Sequence, residues 1–105
     1  MEVEAYEYTP ASISPCDMPF YDAVRSTLSE LAPGCATVPQ ISAGMSDSRF
    51  WRKLGSVVYG CVPYSPETKI RSILPGVHGP NERVNTSSLE FGTRFLYRLI
   101  PRTLS

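Results

Sequence analysis

Apolar residues fall at helical spacing in three stretches of the chain, and in alternation or short unbroken runs in three others. Phe20, Tyr21, Val24, Leu28 and Leu31 recur every three or four residues, the period of one buried helix face. This spacing predicts an amphipathic helix that Asp17 caps and Pro33-Gly34 ends. Phe50, Trp51 and Leu54 predict a short second helix capped by Ser46 or Asp47, with Gly55 as its left-handed stop. Leu89, Phe91, Phe95, Leu96, Leu99 and Ile100 predict a third helix. Ser87 with Glu90 would open it as a capping box, Gly92 would let it pack closely, and Pro101 would end it.

The remaining apolar pattern reads as strands. From Met1 to Tyr8, Val3 and Ala5 alternate with Glu2, Glu4, Tyr6 and Tyr8, as on a half-buried strand. Cys35 to Val38 is a short buried strand by the same reading. Val57 to Val62, continuously apolar and rich in valine, is the expected central strand, covered on both faces. Thr9 to Pro19 holds three prolines and two serines, so it should be an extended connector between two structural units. Pro39 to Met45 is a loop containing Gly44. Pro63 to Val77 is a longer loop without a period, and loops of that length are usually functional or disordered. Helices alternating with strands make α/β the expected fold class. The central strand then delivers two polar constellations, Gly44 to Trp51 and His78 to Val84, to its two ends, as α/β sites require.

Composition narrows the function. With 105 residues the chain is at most one domain, and its 42% hydrophobic content supports a core that is small for independent stability. Ten basic and ten acidic residues cancel, so no electrostatic footprint for nucleic acid exists and no such partner is expected. No apolar run approaches the roughly 20 residues of a membrane span, and Met1-Glu2-Val3-Glu4 is unlike the basic start of a signal peptide. A soluble, cytoplasmic protein without a membrane partner is the expectation. Cys16, Cys35 and Cys61 are far apart and odd in number, which predicts reduced, core-lining thiols rather than disulfides or a cysteine zinc site. Asn85-Thr86-Ser87 is formally a glycosylation sequon, relevant only to a secreted protein.

His78 is the only histidine, hence the only side chain that titrates near neutrality unperturbed and the best metal ligand available. A zinc site needs three or four protein ligands, so with one histidine and no spaced cysteines the chain would have to recruit scattered carboxylates, and a complete zinc site within it is not expected. Gly44-Met45-Ser46-Asp47-Ser48 approximates the nucleophile elbow G-x-S-x-G, but Ser48 replaces the second glycine and Asp47 is adjacent to Ser46, which disfavours a serine hydrolase. A Cys61 and His78 pair is weaker still. Ser46 and Asp47 equally suit a plain helix cap, His78 a loop histidine bonded to backbone, and Arg49 and Arg83 surface charges or partners of Asp47 and Glu82.

Taken together, Gly44-Met45-Ser46-Asp47-Ser48-Arg49-Phe50, Leu54-Gly55, Tyr59-Gly60, and His78 with Asn81-Glu82-Arg83 resemble the carboxyl-terminal part of the dizinc amidohydrolases and peptidases. That family includes aminoacylase, glutamate carboxypeptidase, acetylornithine deacetylase and succinyl-diaminopimelate desuccinylase. The resemblance covers roughly residues 1 to 100. It implies an α/β dizinc-exopeptidase-like catalytic domain with an inserted lid or dimerisation domain. Residues 1–10 would be the last lid strand, and 11–105 the carboxyl-terminal segment of the catalytic domain. His78 falls on the family's last metal-ligand histidine. Asn81, Glu82 and Arg83 match the turn that holds it, and Gly44 to Asp47 match the loop beside the substrate, with Gly44 and Ser46 as contacts and Asp47 in support. The implied cofactor is a pair of zinc ions, with cobalt or manganese as substitutes. Met45 and the long Pro63 to Val77 loop depart from the family pattern.

The family's other histidine, bridging aspartate, further carboxylate ligands and glutamate base have no counterpart here. The resemblance therefore implies one segment of a zinc-dependent enzyme that cleaves the amide bond of an N-acyl amino acid or small peptide. That segment would be incomplete without an amino-terminal half or a homo-oligomeric partner. The rival expectation is a non-catalytic α/β interaction module derived from such an enzyme.

Overall fold

The computed structural model of the protein describes residues 4, 9–61 and 63–104. Among the described residues three α-helices and two short 3-10 turns make up the regular structure: α1 (Pro19–Leu31), α2 (Ser48–Lys53), the turns Ile70–Ser72 and Leu74–Gly76, and α3 (Thr86–Leu104). Two of the helices, α1 and α3, pack together and carry the core.

α1 begins at Pro19, whose missing N–H is one the first turn would leave unpaired anyway. Met18, not Asp17, holds the cap position, and its carbonyl accepts the amides of Tyr21 (2.9 Å) and Asp22 (3.2 Å). Gly34 (φ 86°) turns the chain away after Leu31, as Pro33-Gly34 implied. The inner face offers Val24 and Thr27, flanked by Phe20, Ala23, Leu28 and Leu31, to Phe95 and Leu99 of α3.

α3 departs from its sequence reading at both ends. The amides of Ser88 and Leu89 bond to the carbonyl of Asn85, so the helix starts before Ser87 and no Ser87–Glu90 box forms. Ser88, buried, instead accepts the Ser65 amide at 3.0 Å and bonds the Thr68 hydroxyl at 2.8 Å, while Asn85 donates to Thr68 at 2.9 Å. These bonds tie the start of the long loop to the helix. At the other end Pro101 lies inside the helix, which runs on to Leu104. The reason is tertiary: Arg102 donates to both carboxylate oxygens of Glu30 (2.7 and 2.8 Å) and to the buried Thr27 hydroxyl (3.2 Å), fastening the last turn to α1. A proline there removes one helical hydrogen bond, at the exposed Tyr97, where water can replace it.

The α/β expectation is corrected by the structure. No strand occurs among the described residues. Cys35 to Val38 is irregular and largely exposed rather than a buried strand. The segment after Gly55 is extended, yet its backbone meets side chains instead of another backbone. The Val58 amide donates to Ser14 Oγ at 3.0 Å, and its carbonyl accepts Arg52 Nη2 at 2.8 Å. Extended backbone becomes a strand only when a neighbour supplies a ladder. Val62 and the expected strand Met1 to Tyr8, Glu4 apart, lie outside the described residues. The cysteines also differ from expectation: all three are free but exposed, and none lines the core.

Gly92 need not be glycine. A methyl placed on it would sit 3.7 Å from the Pro63 carbonyl oxygen, an ordinary contact. Because glycine costs about 1 kcal/mol relative to alanine inside a helix, Gly92→Ala should raise stability by up to that amount, read as a higher midpoint in urea titration.

The core is small for the chain that surrounds it. Among the described residues Val24, Ala32, Phe95 and Leu99 are the buried hydrophobic ones, whereas Trp51, Leu54, Leu89, Leu96 and Ile100 are at least half exposed. The radius of gyration is 16.4 Å, against about 13 Å for a compact domain of this length.

Candidate functional site

The first constellation lies on an exposed loop running into α2. Asp47 occupies the cap position (φ −64°) without a side-chain bond to the helix, and the hydroxyls of Ser46 and Ser48 pair with each other. The Gly44 amide donates to Ser42 Oγ at 3.2 Å. Gly55 (φ 85°) ends the helix, as its sequence position implied. Asp47 forms no ion pair. Arg49 turns instead toward Thr9 Oγ1 (3.4 Å) and Met45 Sδ (3.1 Å), with its guanidinium 4.7 Å from the centre of the Phe50 ring.

Arg52 organises this region, and nothing in the sequence pattern singled it out. Its Nε donates to Ser14 Oγ (3.1 Å), its Nη1 to the hydroxyls of Ser12 and Ser48 (both 3.1 Å), and its Nη2 to the Val58 carbonyl (2.8 Å). The proline-rich connector, α2 and the extended segment are thereby locked to one guanidinium. Tyr59 reinforces the lock by donating its hydroxyl to the Pro15 carbonyl and packing against Phe20 and Tyr21. Burial, with smaller contributions from Cys16 and Asp17, raises the Tyr59 pKa above the usual phenol value. Ser14 is buried and accepts two of these bonds. Ser14→Ala should leave the Val58 amide and Arg52 Nε without a partner and cost about 1–3 kcal/mol, measurable by chemical denaturation.

The second constellation is the turn from Leu74 to Glu82. The amides of Val77 and Gly79 bond back to the carbonyls of Leu74 (3.2 Å) and Gly76 (3.0 Å). His78 and Asn81 both sit in the left-handed region, with φ 61° and 64°. L-residues pay for that conformation, so the surrounding turn must impose it, and such positions concentrate at functional sites. Glu82 Oε2 accepts the backbone amide of His78 at 3.3 Å, bracing the turn from within. The imidazole is exposed and bonds to no group among the described residues. Asn81 and Arg83 are also exposed, and Arg83 does not pair with Glu82.

The backbone of His78 and the carboxylate of Glu82 are thus brought together in one turn. No hydrogen bond or ion pair joins this turn to the Gly44–Asp47 loop. Among the described residues no group of three histidines, cysteines, aspartates or glutamates could hold a metal ion. The donor set fits one metal ligand, His78, and not a complete zinc site. Between the extended segment and α3 lies a shallow groove of about 220 Å³, bordered by Cys61, Pro63, Val84, Leu89, Gly92 and Leu96. Cys61 on its border is a free thiol whose pKa partial burial raises above the usual value.

The sequence profile of Peptidase family M20/M25/M40 matches residues 1–102. The chain belongs to this family. It is similar to the N-fatty-acyl-amino acid synthase/hydrolase PM20D1 of Xenopus tropicalis, with 28% identity over 94 residues, and to that of Homo sapiens, with 31% over 98 residues. Each comparison covers 89% of this chain but 18% of the relative's length. No solved structure matches at a significant level. No described helix of this M20-family chain is long and apolar enough to cross a membrane.

Proposed function

We propose that the chain is one segment of a zinc-dependent amidohydrolase that cleaves the amide bond of an N-acyl amino acid or small peptide. In this reading residues 11–105 form the carboxyl-terminal part of the catalytic domain, after a final lid strand in residues 1–10. The observation that carries it is the turn at His78: the chain's single imidazole is exposed, without a partner among the described residues, on a left-handed residue whose amide is braced by Glu82. The backbone that carries the imidazole is thereby set before any metal ion is met, while the ring itself stays free to turn. Asn81, Glu82 and Arg83 maintain the turn. Gly44 and Ser46 border the substrate, and Asp47 supports that loop. The names of the two relatives favour an N-acyl amino acid as substrate class.

Zinc, when bound, would polarise the scissile carbonyl and activate water. This chain contributes one ligand and one wall, and the remaining ligands and the general base come from polypeptide outside it. The test is reconstitution. Co-expression with an M20 polypeptide that carries those ligands should give hydrolysis of N-acyl amino acids that a chelator abolishes and zinc restores. The chain alone should be inactive. A complex that hydrolyses these substrates equally well after chelation would reject the metallohydrolase reading. The alternative, a non-catalytic interaction module, predicts a stable complex without turnover.

A further inference from the structure

The Ser46 hydroxyl is the last member of a chain of bonds that starts at Arg52. A guanidinium only donates, so Ser48 Oγ accepts the Arg52 Nη1 proton, at 3.1 Å. The guanidinium is held in place for this by the connector and the extended segment. Ser14 Oγ takes Nε and Ser12 Oγ takes Nη1, both at 3.1 Å, and the Val58 carbonyl takes Nη2 at 2.8 Å. Ser48, half-buried, bonds next to Ser46, and distance alone leaves either oxygen of that pair as the donor. Polarisation decides between them. A hydroxyl that accepts from a cation becomes a stronger donor and a poorer acceptor, because each bond in a chain polarises the next. Ser48 therefore donates to Ser46, and Ser46, exposed on its loop, keeps its own proton for a group outside the chain.

We propose that Arg52 and Ser48 are positioning residues that set the Ser46 hydroxyl as a hydrogen-bond donor to an oxygen of the substrate. A donor there recognises a carboxylate or a carbonyl and turns away an ammonium group, which has no lone pair to offer. The proposal rests on the reading of Gly44 to Asp47 as a wall of the substrate site, but the direction of the relay is read on the chain alone.

Ser46→Cys places a titratable thiol at the end of the relay. The pH dependence of its alkylation by iodoacetamide, resolved from Cys16, Cys35 and Cys61 by peptide mass spectrometry, gives its pKa. A bond donated by Ser48 stabilises the thiolate, so adding Ser48→Ala should raise that pKa by about one pH unit. The comparison leaves the nearby charges of Asp47, Arg49 and Arg52 in place and isolates the bond. Ser48→Thr, which keeps a hydroxyl, should hold the low value. Arg52→Met should raise the pKa more with Ser48 present than after Ser48→Ala, since only then does the relay add to the lost charge. In the reconstituted enzyme Ser48→Ala should lower kcat/KM about fivefold, as the loss of one neutral bond does. Ser46→Ala should do the same, and the two together no more, whereas independent contacts would multiply to about twenty-five-fold. The primary amide of the substrate separates the two acceptors: it loses the Ser48 dependence if a carboxylate is bound and keeps it if a carbonyl is. The inference is overturned if Ser48→Ala leaves the thiol pKa unchanged or lowers it, or if the two losses multiply in an active complex. A complex without turnover rejects the enzyme reading alone, because the thiol titration decides the relay without it.

Discussion

His78→Ala in the reconstituted enzyme is expected to lower turnover about a hundredfold or more, and Ser46→Ala only about fivefold. The difference follows from what each side chain can do. His78 is the single imidazole of the chain, exposed and without a partner among the described residues, and its loss would remove a direct bond to a metal ion whose contribution to catalysis is several kcal/mol. Ser46 bonds to Ser48 beside a helix start, a contact worth about 1 kcal/mol. His78→Gly separates the ligand from the turn. Glycine adopts φ 61° without strain, so the Glu82 brace and the chain's stability should be retained within about 1 kcal/mol while activity falls as far as in the alanine variant. Zinc binding by the isolated chain, measured by calorimetry, should be weak and lost in both variants. An alanine variant as active as the parent would remove His78 from the metal site.

Phe95→Ala should unfold the chain or leave it without a cooperative transition. Phe95 is 2% exposed and joins Val24 and Leu99 in the core cluster between α1 and α3. Truncating a buried phenylalanine costs about 3–5 kcal/mol, much of the total stability of a domain with so small a core. α1 has 13 residues, too few to persist in water without packing, so its helical signal should go with the core. Tyr97→Ala, two residues away and 81% exposed, is the control and should change the midpoint little. Retention of the parental thermal midpoint by Phe95→Ala would show that α1 and α3 are held by something other than this contact. The Glu30–Arg102 pair is the obvious alternative, but at partly exposed positions it contributes no more than about 1 kcal/mol.

Local signals in the sequence determined a good deal. The period of Phe20, Val24, Leu28, Phe95 and Leu99 located α1 and α3, because an amphipathic face is written into spacing and needs no partner to be legible. Gly34 and Gly55 marked two helix ends, since a left-handed stop is a property of one residue. The joint motif at Gly44–Phe50 and His78–Arg83 carried the family. Tertiary structure decided the rest. Val57 to Val62 has the composition of a strand, but a strand exists only through a ladder with another segment, and here Ser14 and Arg52 take the Val58 backbone groups. Pro101 reads as a stop, yet Arg102 reaches across to Glu30 and holds the helix open for another turn. Ser87 and Glu90 have capping-box spacing, but the buried bonds of Ser88 to Ser65 and Thr68 set where α3 starts. The left-handed backbone of His78 and its brace by Glu82 were likewise invisible, because strain at one residue is imposed by the closure of the whole turn.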